Sequence, residues 1–138
     1  MTKRLKNRAY VRKLKHKAEI TSTSILSQIE YPVFCLHYLN SNYCLTKCDQ
    51  RERASFADTI RILSQVTWTE IIAKKIKGFE KILNKKSINK GNLPDIINED
   101  ESIIGFHFHG NKSMLGIRRD CIFHIIWFDP KFKLYAHG

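Results

Sequence analysis

From Ser102 the chain takes the period of two of a β-strand, with turns at Gly110-Asn111-Lys112 and Arg119-Asp120 before Asp129. Three strands fit this stretch, Ser102 to His109, Ser113 to Arg118 and Cys121 to Asp129. Turns this short join antiparallel neighbours, because a parallel pair needs a long crossover. In the first strand Ile104, Phe106 and Phe108 alternate with His107 and His109, and in the second Leu115 and Ile117 alternate with Met114, Gly116 and Arg118. The alternation predicts one apolar face and one face carrying imidazole and guanidinium. The third strand, Ile122 to Phe128, is apolar on both faces, as suits a central position.

The residues upstream supply the covering layer. Tyr31 to Leu39, with Val33, Phe34, Cys35, Leu36 and Tyr38, predicts a first strand, and Asn40, Ser41 and Asn42 a turn. From Asp49 the period becomes 3.6, and Phe56, Ile60, Leu63 and Val66 predict an amphipathic helix from about Arg51 to Gln65. Thr67 followed three residues later by Glu70 has capping-box spacing and announces a second helix, whose buried stripe is Trp68, Ile71, Ile72 and Ile76. Gly78 interrupts or ends it, and Gly91 and Pro94 mark irregular chain between Lys85 and Asn98. The order β-α-α-β-β-β predicts an α+β domain of two layers, a helical hairpin packed on a small antiparallel sheet. Residues 29–138 are expected to form this single domain, and residues 1–28 a basic nucleic-acid-binding arm with a linker.

Charge is concentrated in that arm. Its first 17 residues hold eight of the 24 Lys and Arg and none of the 13 acids, so the net charge of +11 falls to +3 without them. Such a run repels itself unless a polyanion neutralises it, which points to nucleic acid first and an anionic membrane surface second. Lys3, Arg4, Lys6, Arg8, Arg12 and Lys13 are the candidate phosphate contacts. No apolar stretch reaches the roughly 18 to 20 residues of a membrane span, so a soluble, cytoplasmic protein with reduced cysteines is expected. Cys35, His37, Cys44 and Cys48 could supply four zinc ligands, yet they lack the C-x2-C knuckle of strong zinc motifs. Reduced core cysteines and no cofactor are therefore expected. No Gly-rich phosphate loop, H-E-x-x-H or G-x-S-x-G is present to support nucleotide-dependent, metalloprotease or esterase chemistry.

The element order, with the ending Leu115-Gly-Ile-Arg-Arg-Asp-Cys-Ile-Phe-His-Ile-Ile-Trp-Phe-Asp-Pro-Lys-Phe-Lys-Leu-Tyr135, resembles the RelE/ParE/HigB superfamily of bacterial toxins over about Val33 to Tyr135. The resemblance implies a metal-independent endoribonuclease that cleaves ribosome-associated messenger RNA and is restrained by an acidic antitoxin protein. Arg118 and Arg119 match the sheet arginine of the family pattern, Tyr135 the terminal aromatic, and Lys131, Lys133 and His137 its basic closing segment. The chain departs from the pattern in having His107, His109 and His124 where many members carry Lys or Arg, and Phe132 where the closing segment often has His or Arg.

Cleaving RNA without a metal requires a group to accept the 2′-hydroxyl proton, another to protonate the leaving 5′-oxygen, and fixed positive charge at the phosphorane. Imidazole suits the proton transfers and guanidinium the charge. The expected assignment is His107 or His109 for proton transfer, Arg118 as phosphate clamp, Tyr135 as stacking or acid/base residue, and His137 as a second candidate acid. Lys112, Arg119, Lys131 and Lys133 join the arm as nucleic-acid contacts. The competing reading is a non-catalytic basic RNA- or DNA-binding module with structural histidines, of which His124, inside an apolar run, is the clearest case.

Overall fold

The computed structural model describes residues 29–82, 85, 88 and 93–134. The basic arm, Tyr135 and His137 lie outside them. The strands are β1 (Val33–Cys35), β2 (Glu80–Ile82), β3 (Ile103–His109), β4 (Lys112–Arg119) and β5 (Ile122–Asp129), and the helices are α1 (Gln50–Leu63) and α2 (Trp68–Lys74). The strands form one sheet in the order β1-β5-β4-β3-β2.

The domain is thus α+β with two helices, but its sheet is mixed rather than antiparallel throughout. The β3-β4-β5 meander is antiparallel, as its short turns require. The first strand shrinks to three residues and pairs parallel to β5, with Phe34 opposite Phe123. Between β1 and the meander the chain passes through both helices to the opposite edge, where β2, unanticipated from sequence, pairs antiparallel with Ile103, Ile104 and Gly105.

Each helix begins where its backbone donors find a side-chain acceptor. At α1 the capping box is complete: Asp49 Oδ1 accepts from Glu52 N and Glu52 Oε1 accepts from Asp49 N, both at 2.8 Å. At α2, Thr67 Oγ1 accepts from Glu70 N at 3.2 Å. The helix closes sooner than Gly78, at Lys75, whose left-handed backbone (φ 50°, ψ 47°) caps the last turn. The expected α1 stripe reaches the core: Leu63 is buried and Phe56, Ile60 and Val66 pack against it. On α2, Trp68 and Ile71 are fully enclosed, whereas Ile72 is 46 % exposed because it lies 100° around the helix from Ile71.

Both faces of the sheet are covered, which corrects the expectation of one apolar and one polar face. Under the helices lie Ile104, Phe106, Phe108, Met114, Phe123, Ile125 and Phe128. Ring pairs join the strands here, with Phe106 edge-on to Phe123 at 5.2 Å and Phe108 to Phe128 at 5.4 Å. Trp68 anchors α2 across this layer by donating Nε1–H to the Cys121 carbonyl at 2.9 Å. On the opposite face Ile103, Leu115, Ile117, Ile126 and Trp127 are buried beneath Ile88, Leu134, Leu93, Ile97, Tyr38 and Tyr43.

The pairing register explains the discrepancy. Phe106 stands opposite Met114 and Gly105 opposite Leu115, so Leu115 and Ile117 share a face with Ile103 and not with Phe106. A register shift between His107 and His109 then inserts one extra residue into β3.

Candidate functional site: a histidine cleft at the sheet edge

Because β2 pairs only as far as Gly105, the last residues of β3 have a free flank beyond that strand. The chain between α2 and β2 and the polar side of α1 border this flank and leave a cavity of about 450 Å³. Ser55, Asp58 and Arg61 line it from α1, Lys77 from the turn after α2, and His107 and His109 from β3. The two expected proton-transfer residues therefore open into one cavity with two cations and one carboxylate.

The bulge in β3 re-aims the histidines. His109, opposite Lys112, turns toward α1, where its Nδ1 lies 2.6 Å from Ser55 Oγ. That hydrogen bond fixes the ring by one nitrogen and leaves Nε2 as the other exchange site. Thr59, itself buried, secures the same junction by donating its hydroxyl to Ser55 O at 2.9 Å and to Phe108 O at 3.3 Å. His107 rests instead over Gly78. A Cβ at that glycine would come within 2.4 Å of His107 Nδ1, and its φ of +63° independently favours glycine. Gly78 thus makes the space in which the His107 ring lies.

The arginines are elsewhere. Arg118 lies six residues along β4 from Lys112, the partner of His109, and five from Ser113, the partner of His107, which at about 3.3 Å per residue separates it from the histidines by about 17 to 20 Å. Its guanidinium stacks over the Trp68 ring at 4.4 Å and donates Nε–H to the Asp120 carbonyl at 2.7 Å. Arg118 is not brought to His107 or His109, and the cations that line their cavity are Arg61 and Lys77. Arg119, on the other face, makes a two-pronged pair with Glu101 at 2.7 and 2.9 Å and also donates to Ile96 O. Lys112 is paired with Glu52 at 2.9 Å. Lys131 and Lys133 line a second cavity with Lys47.

The four candidate zinc ligands do not converge. No group of three or more His, Cys, Asp or Glu among the described residues could hold a metal. Burial pushes the Cys48 thiol up to about 11, while hydrogen bonds from Thr46 lower that of Cys44. His124 is half-buried against Tyr38, with ring centroids 5.3 Å apart, and its Nδ1 is buried without a hydrogen-bond partner.

Two groups of the far end make the fold acid-sensitive. The Arg119 hydrogen bond holds the Glu101 carboxyl at about 2, below its ordinary 4.5, so its contribution is present above pH 4.5 and lost as pH falls toward 2. Desolvation, reinforced by Arg119, lowers the His124 imidazole below its ordinary 6.5, so the unfolded chain takes up that proton first and stability declines below pH 6.5. The thermal midpoint is expected to fall in two stages on acidification. In Glu101→Gln the decline below pH 4.5 should flatten while the upper stage persists; an unchanged lower stage would refute the role of the pair.

Among the described residues no helix is long and apolar enough to cross a membrane. Ser55, Asp58 and Arg61 were not singled out by sequence, although Ser55 and Thr59 at i, i+4 on the polar flank of α1 were the available signal. The chain matches no family model, no curated protein and no solved structure.

Proposed function

We propose that this chain is a metal-independent endoribonuclease whose proton-transfer groups are His107 and His109. The observation that supports the reading is the meeting of two imidazoles from one strand with Arg61 and Lys77 in a single open cavity. One imidazole accepts the 2′-hydroxyl proton as that oxygen attacks the adjacent phosphorus. The other protonates the 5′-oxygen as the P–O5′ bond breaks, leaving a 2′,3′-cyclic phosphate and a 5′-hydroxyl. Arg61 and Lys77 offset the charge that develops on the phosphorane, and Ser55 holds His109 in orientation. Since one ring must be neutral and the other protonated, the rate should follow a bell-shaped pH profile. By resemblance, the substrate is messenger RNA on the ribosome, the basic arm adds phosphate contacts, and an acidic antitoxin restrains the enzyme.

The test is primer extension on messenger RNA incubated with translating ribosomes, comparing the wild type with His107→Ala and His109→Ala. Each substitution is expected to lower cleavage about 100-fold or more, the usual size of a general acid or base contribution. RNA affinity should change little. Absence of cuts with the wild type, or cuts that survive in the double variant, would refute the reading.

The separation of Arg118 from the histidines by about 17 to 20 Å favours one rival, a basic RNA- or DNA-binding module in which His107 and His109 only pack. Salt-sensitive RNA binding with no cleavage by any variant would select it.

A further inference from the structure

We propose that the second cavity, walled by Asn42, Tyr43, Lys47, Lys131 and Lys133, is a subsite for the backbone of single-stranded RNA, holding nucleotides beside the bond that lies in the histidine cleft. The inference rests on the ribonuclease reading for its substrate and on independent geometry for its location.

Both cavities lie at the same end of the sheet. Ser113 of β4 stands opposite His107 of β3 on one side and opposite Asp129 of β5 on the other. His107 and Asp129 are thus two strand spacings apart, about 10 Å, a distance that one extended strand of RNA can bridge. The second cavity measures about 370 Å³.

Its walls are tied to β5 by the backbone. On one side Asn40 donates its N–H to Ile126 O at 2.8 Å, and its Oδ1 accepts from Asn42 N at 2.9 Å. On the other side the buried Asp129 carboxylate accepts from Lys133 N and Leu134 N, both at 2.9 Å. The lysine side chains therefore project from anchored chain, and all three residues are exposed.

Charge and shape select the ligand. None of the three lysines belongs to either ion pair found among the described residues. Asp129 is the one acid in the wall, and both its oxygens are engaged by backbone N–H groups. A cavity with three cations against one carboxylate, whose oxygens are already engaged by backbone N–H groups, keeps a net positive charge and takes phosphate, and an aromatic wall at Tyr43 beside it suits a base stacked on its face. Alternation of phosphate and base is the chemistry of a single strand.

The experiment measures fluorescence anisotropy of a labelled 2′-O-methyl uridine decamer, which lacks the attacking hydroxyl and so reports binding alone. Wild type is compared with Lys47→Ala/Lys131→Ala/Lys133→Ala and with a control of equal charge loss, Arg51→Ala/Lys74→Ala/Lys81→Ala, at exposed positions outside both cavities. The cavity variant is expected to bind at least tenfold more weakly, with the salt slope reduced by about 2, since each phosphate contact of a single strand contributes about 0.7. The control should lose less than about threefold. Equal losses in the two variants, or no loss in the first, would overturn the subsite. His107→Ala/His109→Ala separates the two proposals: if it binds normally and the wild type never cleaves natural RNA, the ribonuclease reading falls, while the lysine dependence still supports the subsite.

Discussion

Gly116→Ala is expected to lower the thermal midpoint of the domain by about 15 °C or more, the largest effect of any single methyl group in the sheet. The glycine faces the helices in β4, opposite Ile125. A Cβ built there would lie 1.8 Å from the His124 carbonyl oxygen and 2.8 Å from its carbon. Both obstacles are backbone of β5, so no rotamer change relieves them, and the two central strands must part. Overpacking with flexible neighbours costs about 1 to 3 kcal/mol, and a backbone clash belongs at or above the top of that range. Gly105→Ala is the internal comparison. Its nearest obstacle, at 2.6 Å, is Leu115 Cδ2, the end of a side chain that can rotate, so a smaller loss is expected. Thermal denaturation followed by circular dichroism measures both. A Gly116→Ala midpoint within a few degrees of the wild type, or no worse than Gly105→Ala, would show that the β4–β5 register is not as described.

Asp129→Ala is expected to destabilise the domain by about 3 kcal/mol or more, measured as the shift in urea midpoint at constant m-value. The carboxylate is 1 % exposed and receives the N–H groups of Lys133 and Leu134. Hydrogen bonds to a charged group contribute about 1.5 to 3 kcal/mol each, and the substitution also leaves the buried Leu134 N–H without its acceptor. The loop held by these bonds seats Leu134, 1 % exposed, in the core on the face away from the helices. Asp129→Asn keeps an acceptor but loses the charge, so an intermediate loss is expected. A loss below about 1 kcal/mol in Asp129→Ala would mean that Leu134 is seated by packing alone.

The candidate site illustrates how chemistry can be visible in a sequence while its partners are not. Imidazoles at His107 and His109 stand out because a strand alternation that is otherwise apolar carries them. Ser55, Arg61 and Lys77 look like ordinary helix-surface and turn residues, and only the packing of α1 and the α2–β2 turn against β3 brings them to the histidines. Arg118 misleads in the opposite direction. It is close to His109 in sequence, yet His109 sits at the β3–β4 turn and Arg118 at the far end of β4. In a hairpin, residues move apart along the strand as fast as they move from the turn.

What the amino-acid sequence alone determined is local. The period of two in residues 102–129, the short turns within it, the 3.6-residue stripe of α1 and the Thr67 cap each depend on neighbours within a few positions, and each corresponds to an element of the structure. The tertiary structure alone decided what depends on long-range pairing. β1 lies parallel to β5 because the chain between them crosses to the far edge, and β2 exists because β3 offers it a partner. The face of each β4 side chain follows from its register with β3, where a shift of one residue reverses every side chain. The bulge at His107 and His109 works in the same way, turning one imidazole toward α1 and leaving the other over Gly78. Residue periodicity specifies alternation, but only the pairing of strands distant in sequence specifies which side is which.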